Sequence, residues 1–270
     1  MIREETIAAA RIVTLARPEK RNALSSEVAR ALGRAIERAG ADESVRAVVL
    51  AAEGNVFAAG GDLDELAMVV GAAEGALHVL AIGQEIESIL ACPVPVIAAV
   101  SGDVYGGGCE LLLLCDLAVM EDHARVSFRH ARMGLSPAWG GTARLLERVG
   151  PTLAARLLFT SELVGAEGAV RLGLVCENVP SGGSMARALA IAEEIAKADR
   201  EVIAAHKKLL RDALHGSRRA VKECEDETFR TLWGSAAHRR AMESFGSRTK
   251  PERSDGLTGA PEASERTRGR

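Results

Sequence analysis

The chain has 270 residues, 47% of them hydrophobic and 26% charged, with a formal net charge of −3. That length is enough for one large domain with a buried core, and the near-neutral balance excludes the strong positive field that nucleic acid or an anionic membrane surface requires. Aromatic residues make up 3%, too few for base-stacking platforms.

The five cysteines (Cys92, Cys109, Cys115, Cys176, Cys224) are odd in number and form no CxxC pair. They read as reduced thiols in a cytoplasmic setting. Met1-Ile-Arg-Glu-Glu5 lacks the basic and apolar regions of a signal peptide. No apolar run reaches the roughly 18 residues of a membrane span.

Residues 2–8 and 10–16 read as two short strands, with Ile12, Val13 and Leu15 at apolar positions. Arg17-Pro-Glu-Lys-Arg-Asn22 is a turn. Ser25 is a candidate N-cap for a helix whose stripe of Val28, Leu32 and Ile36 runs to Gly40. Residues 45–52 form an apolar strand. Glu53–Leu63 then passes from strand through glycine into helix, and 64–91 is helical with a weak point at Gly71–Gly75. Cys92-Pro-Val-Pro95 stops that helix. Next comes the β-branched run Val94, Val96, Ile97 and Val100, a buried strand. A turn of Ser101, Gly102 and Asp103 and three consecutive glycines lead into a Leu-rich helix starting near Gly107.

Beyond Asp116, 117–120 and 125–128 read as strands. Arg132–Thr142 is a loop entering a helix at 143–149. Pro151 suits the first turn of a further helix running to Phe159. A short helix at 166–172 and a strand at 174–179 follow. The pattern from Gly183 to about Phe245 is helical, with breaks near Asp199 and Gly216. Strands alternate with helices through two thirds of the chain, which implies an α/β core with a helical C-terminal extension. We count one folded domain, 1–252, whose helical part starts about 183. The polar, Gly/Ser/Thr-rich stretch 253–270 is expected to be a disordered tail.

Two glycine passages recur, Ala58-Ala-Gly-Gly-Asp62 and Gly106-Gly-Gly-Cys-Glu110, each after a strand and before a helix. Backbone N–H groups from both, if convergent, form an oxyanion hole for a carbonyl; the alternative is two tight turns with no ligand. No GxxxxGK[ST] phosphate loop occurs. Glu110 is a general acid or base, or else a capping glutamate. The Leu run behind it, Leu111–Leu114, argues for poor solvation and so for function. His130 suits proton transfer, although a lone histidine is as well placed in a structural role. The other histidines have no metal-ligand spacing, and neither HExxH nor GxSxG is present, so no metal is expected. Lys20, Arg21, Arg239, Arg240, Arg248 and Lys250 are phosphate-binding candidates or plain solvated surface.

Taken together, Arg17-Pro-Glu-Lys-Arg-Asn-Ala-Leu24, Phe57-Ala-Ala-Gly-Gly-Asp-Leu63, Pro95–Val100, Gly106-Gly-Gly-Cys-Glu-Leu111, Cys115-Asp116 and Trp139-Gly-Gly-Thr-Ala-Arg-Leu145 resemble the crotonase (enoyl-CoA hydratase/isomerase) superfamily from near residue 10 to about 252. The resemblance implies a spiral of ββα units with a helical C-terminal trimerisation region, as a homotrimer or dimer of trimers. It implies an acyl-CoA substrate and no separate cofactor. The thioester oxygen would lie between the N–H groups of Gly61 and Gly107. CoA would lie along Lys20, Arg21, Ala23 and Leu24 and along Ala59, Gly60, Asp62 and Leu63, helped by Phe245–Lys250.

Hydratases of that superfamily carry two glutamates. Glu110 matches the first; His130 stands where the second belongs. The stretch Phe128–Thr142 and Thr231-Leu-Trp-Gly-Ser235 are instead similar to the ethylmalonyl-CoA decarboxylase branch. The resemblance therefore implies decarboxylation of a methylmalonyl- or ethylmalonyl-type CoA, with hydration or isomerisation of a 2-enoyl-CoA as the alternative and a catalytically silent CoA-binding protein as a third reading.

Overall fold

The computed structural model describes residues 1–68, 72–215, 218–233 and 235–240. They fall into two compact units that divide between Asp226 and Glu227; the second begins inside the stretch read from sequence as one domain. The expected tail, Gly71 of the expected weak point, and Phe245–Lys250 lie outside the described residues.

An antiparallel pair, β1 (Ile2–Ile7) and β2 (Ala10–Leu15), opens the first unit. The helix α1 (Ser26–Ala41) follows, and Ser25 caps it as its sequence suggests, its Oγ accepting from Val28 N at 3.2 Å. Three repeats of one unit come next. Each has a strand in a large sheet, a short strand in a small sheet, and then helix. The first is β3 (Ala47–Ala52), β4 (Val56–Ala58) and the helices α2 (Leu63–Ala67), α3 (Ala72–Ile86) and α4 (Ser88–Ala91). The second is β5 (Val96–Val100), β6 (Asp103–Tyr105) and α5 (Gly107–Leu114). The third is β7 (Leu117–Glu121), β8 (Arg125–Ser127), a 3₁₀ turn at Arg129–Met133, and α6 (Gly141–Thr160).

The chain then adds β9 (Val164–Gly165), α7 (Ala166–Leu172), β10 (Glu177–Val179), α8 (Ser184–Ala196), α9 (Arg200–His215) and α10 (Arg218–Leu232). The large sheet runs β1-β2-β3-β5-β7-β10 and the small one β4-β6-β8-β9. From β2 to β10 the large sheet is parallel, as are β4, β6 and β8. This is the mixed α/β spiral of ββα units.

The large sheet is buried on both faces, so β3 reads apolar throughout rather than alternating. Val48, Leu50, Ala98 and Val13 face the main core with α1, while Ile12, Val49, Ile97 and Ala99 face α8. That second face is rich in alanine, as are the Ala188 and Ala192 positions opposite, which lets helix and sheet approach closely. Lys207 ties α9 to the sheet, its Nζ donating to Asp116 Oδ2 at 2.7 Å and to Val94 O at 3.1 Å. Asp116 Oδ2 also accepts from Val96 N at 2.7 Å.

Several elements differ from the sequence reading. Among the described residues the stretch 64–91 holds three helices, α3 and α4 being separated at Glu87, and Gly75 lies within α3. The expected strand 174–179 shortens to Glu177–Val179. β6 and β9 are strands that periodicity does not flag, being three and two residues long. The helices expected on either side of Pro151 meet at a kink, where Gly150 has φ +77°.

Candidate active site

Three parallel strands, β4, β6 and β8, end side by side. The Gly60–Gly61 turn follows the first, Gly106–Gly108 the second and His130 the third. Adjacent parallel strands place the segments after them in one row, which is where α/β proteins put their ligands.

The first two segments touch. Gly60 has φ +103°, and a methyl built on it would stand 2.8 Å from Gly107 N. A methyl on Gly108 would stand 2.1 Å from Ala58 O. Only glycine permits this approach of one main chain to another. Gly107 is the first residue of α5, so its N–H has no partner within the helix. Neither Gly61 N nor Gly107 N donates a hydrogen bond among the described residues. These are two backbone donors from adjoining turns, one carrying the positive end of a helix dipole.

One turn along α5, Glu110 is 2% exposed. A carboxylate this buried is costly unless hydrogen-bonded, and the loop ahead of α6 supplies the donors. Oε2 accepts from Trp139 N at 2.8 Å and Gly141 N at 2.9 Å; Oε1 accepts from Ala138 N at 3.3 Å. His130 Nε2 lies 3.1 Å from Oε1. Because both oxygens already accept amide protons, Nε2 is the donor in that contact. His130 is itself buried, and its Nδ1 has no partner among the described residues. The ring thus points one nitrogen at the carboxylate and leaves the other buried without a partner. Arg144 supports the loop, donating to Trp139 O at 2.7 Å. Burial pulls the Arg144 guanidinium below its ordinary pKa, against the opposing charges of Glu87, Glu110 and Glu147.

The segments expected to hold CoA lie alongside. Leu24 N donates to Gly60 O at 2.7 Å, Asp62 N to Leu24 O at 3.0 Å and Ala59 N to Arg21 O at 3.1 Å. These bonds zip residues 21–24, Ala23 included, to residues 59–62. Lys20 pairs with Asp64, and Leu63 is exposed at the start of α2. The Asp62 carboxylate is engaged within the fold. It accepts from Arg17 Nη2 at 3.0 Å and caps α2 through Asp64 N and Glu65 N. Burial alone would raise its pKa, but the Arg17 guanidinium and the two helix amides outweigh burial and hold it below 3.8.

The sequence matches a family model, enoyl-CoA hydratase/isomerase, over residues 4–256. The chain belongs to the enoyl-CoA hydratase/isomerase family. Its relatives include the 2,3-dehydroadipyl-CoA hydratase of Escherichia coli K12, 32% identical over 89% of this chain and 93% of the relative. The short-chain-enoyl-CoA hydratase of Clostridium acetobutylicum is 30% identical over 89% of this chain and 92% of the relative. Among solved structures, an enoyl-CoA hydratase from Polaromonas sp. JS666 superposes with a TM-score of 0.87 at 30% identity, covering 93% of this chain and 98% of that one. One from Bacillus anthracis gives 0.87 at 25% identity, covering 93% and 97%.

Within this family fold the structure brings together Gly60, Gly61, Gly107, Glu110 and His130, with residues 20–24 and 59–63 in contact beside them. Arg239 and Arg240 belong to the second unit, and Arg248 and Lys250 lie outside the described residues. Trp139 enters the sequence reading only as part of a motif. Yet its amide holds Glu110, and the residue is 5% exposed, with Nε1 donating to Val79 O at 2.9 Å. The available signal was its placement: one of two tryptophans, set between Pro137 and a pair of glycines. Among the described residues no helix is long and apolar enough to cross a membrane.

Proposed function

We propose that this protein hydrates a 2-enoyl-CoA thioester. The observation that carries the reading is the buried Glu110 carboxylate, one helical turn beyond the Gly107 N–H and fixed by three amides and His130. The thioester oxygen is held by the N–H groups of Gly61 and Gly107. Glu110 takes a proton from water, the water oxygen bonds to C3, and the C2=C3 electron pair moves toward the thioester as an enolate. The two N–H groups stabilise the charge that develops there. Glu110 then returns the proton to C2, so the elements of water are added and nothing else is consumed. His130 keeps the carboxylate oriented through Nε2. CoA lies along 20–24 and 59–63.

The relatives' names favour hydration over the decarboxylation that the local resemblance of Phe128–Thr142 implies. Decarboxylation of a methylmalonyl- or ethylmalonyl-type CoA is kept as the second reading on one observation, the histidine at position 130. Loss of CO₂ yields the enolate directly, with no water to activate; C2 then takes up a proton in place of the CO₂, and His130 in its imidazolium form would hold the substrate carboxylate through Nδ1–H.

One experiment decides. Purified protein is mixed separately with crotonyl-CoA and with ethylmalonyl- and methylmalonyl-CoA. Loss of the conjugated-thioester absorbance and formation of 3-hydroxybutyryl-CoA support hydration. CO₂ release with no hydration of crotonyl-CoA overturns it in favour of decarboxylation. Binding of these thioesters without turnover of any rejects both.

A further inference from the structure

Two amides separated by one residue, those of Trp139 and Gly141, converge on the same oxygen of Glu110. They can do so because Gly140 between them is left-handed, with φ +75° and ψ +13°. The peptide between the two amides presents its carbonyl elsewhere, and Arg144 Nη1 donates to that Trp139 O at 2.7 Å. The guanidinium also lies against the turn itself. A methyl built on Gly140 would stand 2.5 Å from Nη1 and 3.2 Å from Cζ of Arg144, and one built on Gly141 would stand 2.6 Å from Glu110 Oε2. Guanidinium, turn and carboxylate are therefore layered with no room for a side chain between them. The Trp139 ring is fixed separately, wedged between α5 and α3: a methyl at Gly107 would stand 2.5 Å from its Cζ3, and one at Gly83 2.7 Å from its Cδ1.

Arg144 is badly placed by local rules. It is the fourth residue of α6, in the first turn, where the helix dipole favours anions over cations. It is half-buried, and burial pulls its pKa down against the charges of Glu87, Glu110 and Glu147. Yet among the described residues it forms no ion pair with any of the three, and its hydrogen bond goes to a backbone carbonyl. A cation that opposes the dipole and loses solvent without a direct carboxylate partner breaks two local preferences, as residues at functional sites do. We propose that Arg144 is a positioning residue for Glu110: by holding the Trp139 carbonyl and packing behind Gly140, its guanidinium fixes the turn whose two amides grip the carboxylate. The inference rests on the reading of Glu110 as the base of hydration. Arg144 touches neither water nor thioester in this arrangement; it acts through the turn.

The test uses the full-length protein as native, Arg144→Met, Arg144→Lys, Glu110→Gln and the double variant Glu110→Gln/Arg144→Met. In Arg144→Met, kcat for crotonyl-CoA hydration is expected to fall by about tenfold to a hundredfold, the effect of losing one hydrogen bond from a charged group. KM is expected to change by no more than about twofold, because the lost contact orients the base and not the thioester. Arg144→Lys, which keeps the charge and loses the flat contact on Gly140, recovers part of kcat. In the Glu110→Gln background, Arg144→Met costs less than about threefold more, since two residues acting through one network are not additive. Hydrogen exchange at the Trp139 and Gly141 amides, which needs no turnover, quickens by about tenfold or more in Arg144→Met. Should Arg144→Met fail to fold, Arg144→Lys decides by the same measurements with smaller changes. Unmoved kcat and exchange in a folded variant, kcat and KM worsening together, or an undiminished loss in the Glu110→Gln background overturns the role of Arg144 alone. Quickened exchange at the two amides in a protein that does not hydrate crotonyl-CoA supports the hold on Glu110 and rejects the hydratase reading.

Discussion

His130 Nε2 stands 3.1 Å from Glu110 Oε1, while the Trp139 and Gly141 amides hold the other carboxylate oxygen at 2.8 and 2.9 Å. The acidic side chain sits in the first turn of α5, and every group that fixes it comes from residues 130–141. The loop between β8 and α6 is therefore what converts a buried glutamate into one with a set orientation. Its orientation and its burial have the same cause.

Glu110→Gln keeps the shape of the side chain and removes the proposed base. Hydration of crotonyl-CoA is expected to fall by about 10²–10⁴ with KM little changed, because in the proposed mechanism the carboxylate acts on the water and not on the ground-state thioester. Glutamine also places an NH₂ group where two oxygens now accept from Trp139, Gly141 and Ala138, so the melting temperature falls as well. Unchanged turnover in a folded variant would rule Glu110 out as the base.

His130 separates orientation from packing. In His130→Ala the carboxylate loses one of its donors; in His130→Gln a donor can be kept. Loss of a hydrogen bond to a charged group costs about 1.5–3 kcal/mol, so kcat is expected to fall by roughly tenfold to a hundredfold in His130→Ala. His130→Gln is expected to recover part of that loss. Equal loss in both variants would point to His130 Nδ1, which glutamine does not reproduce, as the atom that matters.

The glycine turns respond to added volume. Gly108→Ala brings a methyl to 2.1 Å from Ala58 O, between two main chains that cannot both stay in place. Overpacking of this kind costs about 1–3 kcal/mol, read as a lower midpoint in urea. The rate is expected to fall further than stability alone explains, since the Gly107 amide shifts with the turn. Gly165→Ala, whose added methyl meets nothing within 4 Å, is the control that should change neither.

Asp62 sets an acid limit on stability. Its folded pKa lies below the ordinary 3.8, so the folded form binds the proton less readily than the unfolded chain. Its contribution is fully present above the unfolded value and is lost as pH falls through that value toward the folded one. Glu65, held down by Ser26 and His78 against burial, and Glu121, held down by the Gly182 and Ser184 donors against burial, act in the same direction from 4.5. Urea midpoints are expected to stay level near neutrality and drop below about pH 5. In Asp62→Asn that acid limb becomes shallower; an identical limb in native and variant protein would show that the Arg17–Asp62 pair carries no such share.

Much of this molecule is readable one residue at a time. Ser25 before an apolar stripe, prolines after Ala91, glycine runs behind β-branched strands and a lone glutamate ahead of a leucine run are local signals, because caps, breakers and periodicity act within a few residues. They locate the helices, the large-sheet strands and the two glycine turns, and the ordered motifs identify the family. The pairing of Glu110 with His130, the close contact of Gly60 with Gly107 and the wedge of Trp139 between α3 and α5 are another matter. They join positions twenty to sixty residues apart, and they depend on β4, β6 and β8 lying parallel in a second, smaller sheet. Those strands are three residues each, too short for any period to appear. Only the crossing of the chain from one sheet to the other, repeated three times, brings their ends into one row, and so only the folded molecule decides which groups share the site.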